Sequence, residues 1–553
     1  MGWLLLLGLA VAAYEGVVDN GFCLDDTGIV IDNRFVGTAA WGEIWTTSYW
    51  HGVTGETGGL YRPLTLSLIA LQRLLFGERA MLFHLVSVLL QVLAGVCLMT
   101  AARRTGLSPA TALMAGAFLC VHPAASEVVN TVVGTADLLA FIGGVTGASI
   151  LVTTLSPRAT LMAAALVVLA ALAKESAVVF AAGALAALLL HDRRPLPLLC
   201  ASVSMVLPVA LRAALTGHLD PGGIGFLDNP LAYADVVTRW LNAPTLVVHY
   251  LQIVLFPWPL SADYSFDAVP VIAIEDPTAW LPSLFFCASV GVLMWRLVRR
   301  HPQATLWSTS AIAMLALAAH FVIPIGTIFA ERLAYPLLAG SGIGTAVLLG
   351  DLGRRRGAAT GWLVTGIWLL LCVALDRDRT ADWHDDGTLF ASALQVSDRS
   401  ARSHYGSGRW QQQRGDHEAA IAAYQKALHI HARYADALYN QGAALVSLAR
   451  YEEALTSYEA ASQARPAYVE ALFAVAVVRE AMHDARAGSA YAAVLGLEPR
   501  HAEAARGSAR CLASSGEMVA ARAVLERAFG ATAAAEWERL VQRAHQPPST
   551  TSR

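Results

Sequence analysis

The chain has 553 residues, of which 56% are hydrophobic and 15% are charged, and its formal net charge at pH 7 is -3. A soluble protein would carry about 25% charged residues, so this composition favours a membrane protein. The small net charge gives no reason to expect nucleic-acid binding. The seven cysteines form no CxxC pair, which argues against a zinc site and a disulfide framework.

Apolar runs fill the chain up to residue 376, and the remainder is polar and rich in helix formers. We therefore predict an all-α protein with a membrane domain over 1–376, a junction over 377–402 and a soluble domain after it. Eleven candidate spans lie near 3–14, 83–101, 109–121, 136–154, 159–173, 176–191, 195–214, 279–297, 305–323, 335–350 and 360–376. Several are shorter than a full span of roughly 20 residues, and the first has no basic flank, which leaves the start site open.

Arginines follow every even-numbered span, and this alternation predicts the orientation of the chain. They are Arg103 and Arg104, Arg158, Arg193 and Arg194, Arg299 and Arg300, and Arg354 to Arg356. Because such basic loops stay in the cytoplasm, we expect the N-terminus inside. The first loop and everything after residue 377 would then lie outside, in the periplasm, the extracellular space or an organelle lumen.

One further apolar segment, residues 239–256, does not fit this alternation as a span. A single crossing there would place the next basic loop on the wrong side of the membrane. We therefore predict a helix along the outer interface, a depth that suits Trp240, Tyr250 and Trp258.

A period of 34 residues marks the soluble domain. Tyr424 and Tyr458 are 34 residues apart, Tyr491 follows after 33, and Gly408 and Gly442 keep the same step. This period predicts tetratricopeptide (TPR) helix pairs, which stack into a superhelix with a concave face. We expect three clear repeats and a degenerate fourth over 403–537, followed by a disordered tail over 538–553.

Polar residues stand next to apolar runs in the predicted outer loops. Charges near hydrocarbon are costly and often mark a functional site. Each one alone also has a structural explanation, such as a helix end or an internal ion pair, but their occurrence on one face favours a function. They are Asp25, Asp26, Arg62, His122, Glu127, Asp137, Lys174, Glu175, Glu331 and Arg332.

The order of several motifs resembles the transmembrane and TPR repeat-containing protein O-mannosyltransferases. The motifs are LDDTGIVIDN, YRPLT, HPAASEVVNTVVGTADLLA, AKES, FPWPLSADYS, ERLAYP and RTADWHDDGTLF. The resemblance covers nearly the whole chain; the short first span and the short TPR array depart from it. It implies a GT-C type glycosyltransferase that takes a sugar, mannose in this family, from a polyprenyl-phosphate carrier. The acceptor would be a Ser or Thr hydroxyl of a protein on the outer side.

The resemblance also implies roles for particular residues. Asp25 is the expected catalytic base, with Asp26 as the alternative or as its orienting partner. Transfer from a lipid phosphate also needs cations against the leaving group. The expected donor-binding residues are Arg62, Lys174 and Arg332, with His122 and Glu127 positioning the sugar or the acceptor.

No cofactor and no metal ligand set are expected besides the lipid-linked donor, and the need for a metal stays open. The expected partners are this donor, membrane lipid and a protein acceptor held in the TPR groove, with residues 379–391 linking the two domains through Trp383 and Phe390. Two alternatives remain: a non-catalytic membrane scaffold whose repeats recruit partners, and a GT-C enzyme with a glycan or lipid acceptor.

Overall fold

The computed structural model describes residues 2–55, 59–217, 223–300 and 302–544. These residues form helices and connecting loops, with no β-strand among them, so the predicted all-α class is confirmed. The chain divides into two compact units, Met1–Ser400 and Ala401–Arg553.

A helix coincides with each of the eleven predicted spans in the first unit. These helices are Gly2–Ala13, Ala80–Arg104, Pro109–Cys120, Thr135–Thr153, Pro157–Ala173, Val178–His191, Pro195–Thr216, Pro277–Arg300, Pro302–Ala318, Leu337–Arg356 and Ala358–Asp382. Within the described ranges, five helices are long and apolar enough to cross a membrane, and a pair bent by 55° at residues 121–122 gives up to six. The unit is therefore a multi-pass membrane domain, whose orientation stays a prediction.

Helix Thr135–Thr153 is largely buried within the first unit and packs against Ala80–Arg104 and Pro157–Ala173. Gly147 permits the close approach, because a Cβ atom there would lie 2.5 Å from the Val167 side chain. This packing fixes the first turn of the helix, which carries Asp137.

Further helices, between the spans and after the last one, form the remaining elements of the first unit. They are Glu15–Asp19, the π-helical Thr27–Asp32, Arg34–Gly37, Trp41–Thr46, His51–Thr54, Pro63–Phe76, Pro123–Ala125, Ser126–Asn130, Glu175–Ala177, Pro230–Ala232, Val236–Leu255, Glu331–Ala334 and Asp386–Val396. The first loop has a hydrophobic cluster of its own, which includes Ile29, Ile44 and Ile69. Packing of these apolar side chains fixes the backbone of the loop, and with it the positions of the polar side chains that the loop carries.

The helix Val236–Leu255 occupies the segment predicted to lie along the outer interface. It is not among the helices that meet the length and hydropathy of a span. Tyr250 is buried in the main core, whereas Trp240 and Trp258 are exposed. An amphipathic helix of this kind is suited to an interface, and its depth in the membrane stays a prediction.

The second unit consists of helix pairs, as the 34-residue period predicts. The helices are Ala401–Gln413, His417–Ile430, Ala435–Ser447, Tyr451–Ala464, Val469–Ala481, Ala487–Leu497, Ala502–Ser514, Met518–Phe529, the short Gly530–Thr532 and Ala533–Ala544. Glycines let the two helices of a repeat meet: a Cβ at Gly408 would lie 2.6 Å from the Tyr424 ring, and one at Gly442 would lie 2.8 Å from Tyr458.

The prediction of disorder from residue 538 onward is wrong for residues 538–544. They continue the helix Ala533–Ala544, whose Trp537 and Leu540 pack against a small core with Leu525. An apolar stripe at helical spacing therefore outweighs the polar composition. Residues 545–553 lie outside the described part of the chain.

Candidate functional site

Asp26 is fully buried, and its carboxylate caps the loop before helix Thr135–Thr153. The backbone N–H groups of Val132 and Val133 donate to its two oxygens, both at 2.9 Å. Burial raises the pKa of Asp26 to about 7, and these two hydrogen bonds oppose the rise. Because both oxygens already have partners, Asp26 is built to hold two loops together.

Asp25 is half-buried, and its carboxylate has a different environment. Among the described residues, none forms a hydrogen bond or an ion pair with its side chain. Its charge nevertheless acts on Arg332: burial lowers the pKa of this guanidinium, but Glu127 and then Asp25 raise it above the ordinary value. A half-buried carboxylate to which none of the described residues bonds is available to a substrate.

Glu127 and Arg332 form an ion pair that joins two loops remote in the chain. The Arg332 backbone N–H donates to one Glu127 oxygen at 2.8 Å, and the guanidinium donates to the other. Glu127 is buried, whereas the side chain of Arg332 is 39% exposed. The pair therefore holds the backbone and one guanidinium nitrogen of Arg332, while the rest of the guanidinium remains accessible to solvent.

Lys174 is paired with Asp137, a residue without a predicted role. Its ammonium lies 2.7 and 2.6 Å from the two carboxylate oxygens, and both side chains are buried. Burial lowers the pKa of Lys174, Asp137 opposes this, and the positive charges of Arg62 and Arg332 lower it further. The three predicted cations are thus close enough for their charges to interact.

Arg62 completes this group of cations. It donates to Glu175 at 3.0 and 3.2 Å, and its guanidinium lies 5.5 Å from the centre of the Tyr49 ring. The charges of Asp25, Asp26 and Asp137 also act on Tyr49, so the phenol lies near the same group of charges. We call Asp25, Arg62, Glu127, Asp137, Lys174 and Arg332 the outer charge cluster, after the side of the membrane that is predicted for them.

His122 is not linked to the outer charge cluster by any hydrogen bond or ion pair in the described structure. Its Nδ1 atom accepts the Ala124 N–H at 3.2 Å, and its Nε2 atom lies 2.9 Å from the Val254 carbonyl. The ring also packs against Phe118 and Trp368. One ring nitrogen therefore stabilises the bend after Cys120, and the other links this bend to the helix Val236–Leu255.

Glu331 forms a second polar group beside the cluster. It is buried and accepts from the Ser261 N–H at 2.6 Å and from the Tyr264 hydroxyl at 2.7 Å. Arg379, in the last span, lies 3.7 Å away. Burial raises the pKa of Glu331 to about 7, and Arg379 opposes the rise. The adjacent residues Glu331 and Arg332 thus point to different partners.

Sequence reasoning did not assign a role to Asp137, Tyr49 or Tyr264. Asp137 and Tyr264 stand in the motifs GTAD and PWPLSADYS, but their partners are remote in the chain: Asp137 is 37 residues from Lys174, and Tyr264 is 67 from Glu331. No local pattern predicts such pairings.

Comparison with known proteins agrees with this architecture. A family model described as Protein O-mannosyl-transferase TMTC, DUF1736 matches residues 226–290, and a Tetratricopeptide repeat model matches 401–430 and 435–468. The first of these ranges contains Ser261 and Tyr264, the partners of Glu331. The chain is thus a multi-pass membrane protein with TPR repeats.

Curated relatives share most of the chain. Protein O-mannosyl-transferase TMTC3 of Homo sapiens is 23% identical over 472 residues, with 77% of this chain and 51% of the relative covered. For TMTC1 of Homo sapiens the identity is 26% over 501 residues, with 79% and 56% covered. For TMTC4 of Homo sapiens it is 25% over 498 residues, with 76% and 65% covered. The resemblance inferred from the motifs is confirmed, and the chain spans about half to two-thirds of the length of these relatives.

Proposed function

We propose that the chain is a membrane glycosyltransferase that moves mannose from a polyprenyl-phosphate carrier to a Ser or Thr hydroxyl of a protein. The observation that carries this proposal is the position of Asp25. None of the described residues bonds to its carboxylate, and the adjacent Asp26 bonds to the loop before the helix that carries Asp137. The charge of Asp25 also contributes to the raised pKa of Arg332. A carboxylate that is available to a substrate, in a group of charges that includes a partly exposed guanidinium, suits a reaction that removes a proton and releases a phosphate.

In the proposed reaction Asp25 is the general base. The acceptor oxygen attacks the anomeric carbon, its proton passes to a carboxylate oxygen of Asp25, and the bond between this carbon and the phosphate oxygen breaks. The electron pair of that bond stays on the lipid phosphate. Asp26 is the positioning partner in this scheme, because both its oxygens hold the backbone of Val132 and Val133.

The cations of the cluster are proposed to stabilise the negative charge that develops on the phosphate. The more exposed a cation is, the more directly it can contact the phosphate. The side chain of Arg332 is 39% exposed, that of Arg62 is 16% exposed and that of Lys174 is 7% exposed. Arg332 is therefore assigned the direct contact with the phosphate and Arg62 the supporting one. Lys174 contributes its charge from a buried position, while Glu127 holds Arg332 in place.

The TPR unit is proposed to bind the protein acceptor. Its repeats present half-buried aromatic rings at the 34-residue step, among them Tyr405, Tyr439 and Phe473. A row of rings on stacked helix pairs suits an extended polypeptide better than a single sugar.

The test measures transfer in membranes that contain the full chain and a radiolabelled polyprenyl-phosphate mannose. We expect label on Ser or Thr of a protein fraction with the native chain and a loss of label with Asp25→Asn. If the label appears only on a glycan or a lipid, the proposed sugar transfer is supported but the proposed protein acceptor is wrong. The absence of any Asp25-dependent transfer, together with stable protein complexes on the repeats, would favour the scaffold.

A further inference from the structure

The segment after the last span lies against the loop that leads into Asp25. The Gly21 N–H donates to the His384 carbonyl at 2.9 Å, and the Cys23 thiol donates to the Trp383 carbonyl at 3.4 Å. In the third hydrogen bond, the Leu24 N–H donates to Asp386 Oδ1 at 3.0 Å. We call these three hydrogen bonds the junction clasp.

Leu24 has a backbone conformation that needs such support. Its φ angle is +52°, in the left-handed region that residues with a Cβ atom rarely adopt. Its side chain packs against a small core formed by Cys23, Trp383 and Leu389. A strained backbone next to a candidate catalytic group persists when its surroundings hold it in place.

The other side of Asp25 is held independently. Asp26 is fixed by the N–H groups of Val132 and Val133, both at 2.9 Å. Asp25 therefore stands between two anchored neighbours, while none of the residues in the described ranges bonds to its own side chain. On the N-terminal side of Asp25, the anchor is the hydrogen bond from Leu24 to Asp386, which is 362 positions further along the chain.

We propose that Asp386 is a positioning residue for Asp25. By accepting the Leu24 N–H it holds the backbone turn that directs the Asp25 carboxylate toward the substrate. This inference rests on the proposed function, in which Asp25 is the base. A displacement of about 1 Å at a reacting group can cost roughly 10²-fold in rate, so one hydrogen bond to the adjacent backbone has a large effect.

The first measurement is steady-state transfer by the full chain. With Asp386→Ala we expect kcat to fall by about 10- to 100-fold and the KM for the lipid donor to change by less than about 3-fold. Asp386→Asn keeps an oxygen that can accept the Leu24 N–H, so its kcat should stay within about 3-fold of the native value. The matched control is Asp378→Ala, since Asp378 is exposed and outside the clasp.

The second measurement reports on the clasp without using activity. Cys23 is buried and its thiol forms part of the clasp, so a maleimide should label it slowly in the native chain. Asp386→Ala should speed the labelling of Cys23, followed site by site with mass spectrometry, by at least about 5-fold. Asp386→Asn and Asp378→Ala should leave the labelling rate unchanged.

The two measurements separate the possible failures. An Asp386→Ala chain with near-native kcat, or with unchanged Cys23 labelling, overturns the positioning role. Equal losses of kcat in the Ala and Asn variants overturn the hydrogen-bond explanation. If Asp25→Asn is fully active while Asp386→Ala still exposes Cys23, the clasp exists and the proposed base is wrong.

Discussion

Lys174 and Asp137 form a buried ion pair in which the ammonium lies 2.6 and 2.7 Å from the two carboxylate oxygens. The residues belong to adjacent helical segments, since Asp137 lies in the first turn of Thr135–Thr153 and Lys174 follows Pro157–Ala173. The pair neutralises two buried charges. It therefore stabilises the place where these segments meet and leaves Arg332 as the more accessible cation.

Removing one member of this pair should destabilise the protein. Lys174→Met leaves Asp137 buried without a counter-charge, which typically costs about 3–5 kcal/mol. We expect a lower unfolding temperature in detergent and a lower yield of folded protein. The double variant Lys174→Met with Asp137→Asn should recover much of the loss, because no uncompensated charge remains. A single variant as stable as the native chain would contradict this explanation.

The two adjacent aspartates should differ in the kind of defect that they cause. Asp25→Asn removes only a free carboxylate charge, so it should reduce transfer by about 10²- to 10⁴-fold and leave the unfolding temperature unchanged. Asp26→Asn should lower the unfolding temperature, because Val132 and Val133 donate to different oxygens and the amide NH2 that replaces one oxygen cannot accept. The control is Asp32→Asn, at an exposed carboxylate of the same loop. Native activity with Asp25→Asn would remove this residue from the mechanism.

Arg332 should act on the donor. Arg332→Gln leaves Glu127 with its backbone hydrogen bond but removes the guanidinium, so we expect the rate of transfer to fall by about 10²- to 10³-fold. The matched control is Arg79→Gln, at an exposed arginine of the same outer region. The measurement is transfer against donor concentration. A near-native rate at all concentrations would rule out contact between Arg332 and the phosphate.

The hydrophobicity of the sequence predicts the helices well, because the apolar runs and the 34-residue period are local signals. Proximity to apolar boundaries also predicts Arg62, Lys174 and Arg332 as candidate cations, while the choice of Asp25 as the base rests on the family resemblance. The structure places these residues close enough for their charges to interact. The partners of these residues are not predictable in this way. The pairing of Leu24 with Asp386, for example, depends on how helices from both ends of the first unit pack. Likewise, only the fold distinguishes Asp26, with two backbone donors, from its neighbour.

Stability should fall as the pH rises from 6 to 8. Burial raises the pKa values of Asp26 and Glu331 to about 7, so both groups favour the protonated form in the folded chain. Their stabilisation is complete below about pH 4, the unfolded pKa, and is lost as the pH passes through 7. Each group should cost about 1 kcal/mol of unfolding free energy over this interval. Asp26→Asn and Glu331→Gln should each flatten the dependence of unfolding temperature on pH, and a flat native profile would refute the prediction.

The end of the first unit determines where the chain can be divided. Arg399 donates to Asp267 at 2.7 and 2.9 Å, and the Ser400 hydroxyl donates to Asp263. Residues 377–400 therefore belong to the membrane unit, although the sequence predicts a junction there. A cut after residue 376 would remove the junction clasp, whereas a cut after residue 400 retains it.

This difference allows the roles of the two units to be separated. We expect a chain that ends at residue 400 to keep transfer to a short free acceptor peptide, or hydrolysis of the donor, within about 3-fold of the native rate, since the outer charge cluster and the clasp are intact. Transfer to a protein acceptor should fall by at least about 10²-fold, because the linked binding site and its effective concentration are lost. A chain that ends at residue 376 should lose both activities. If the longer truncation is well folded and loses transfer to the short peptide as well, the repeats are part of the catalytic unit.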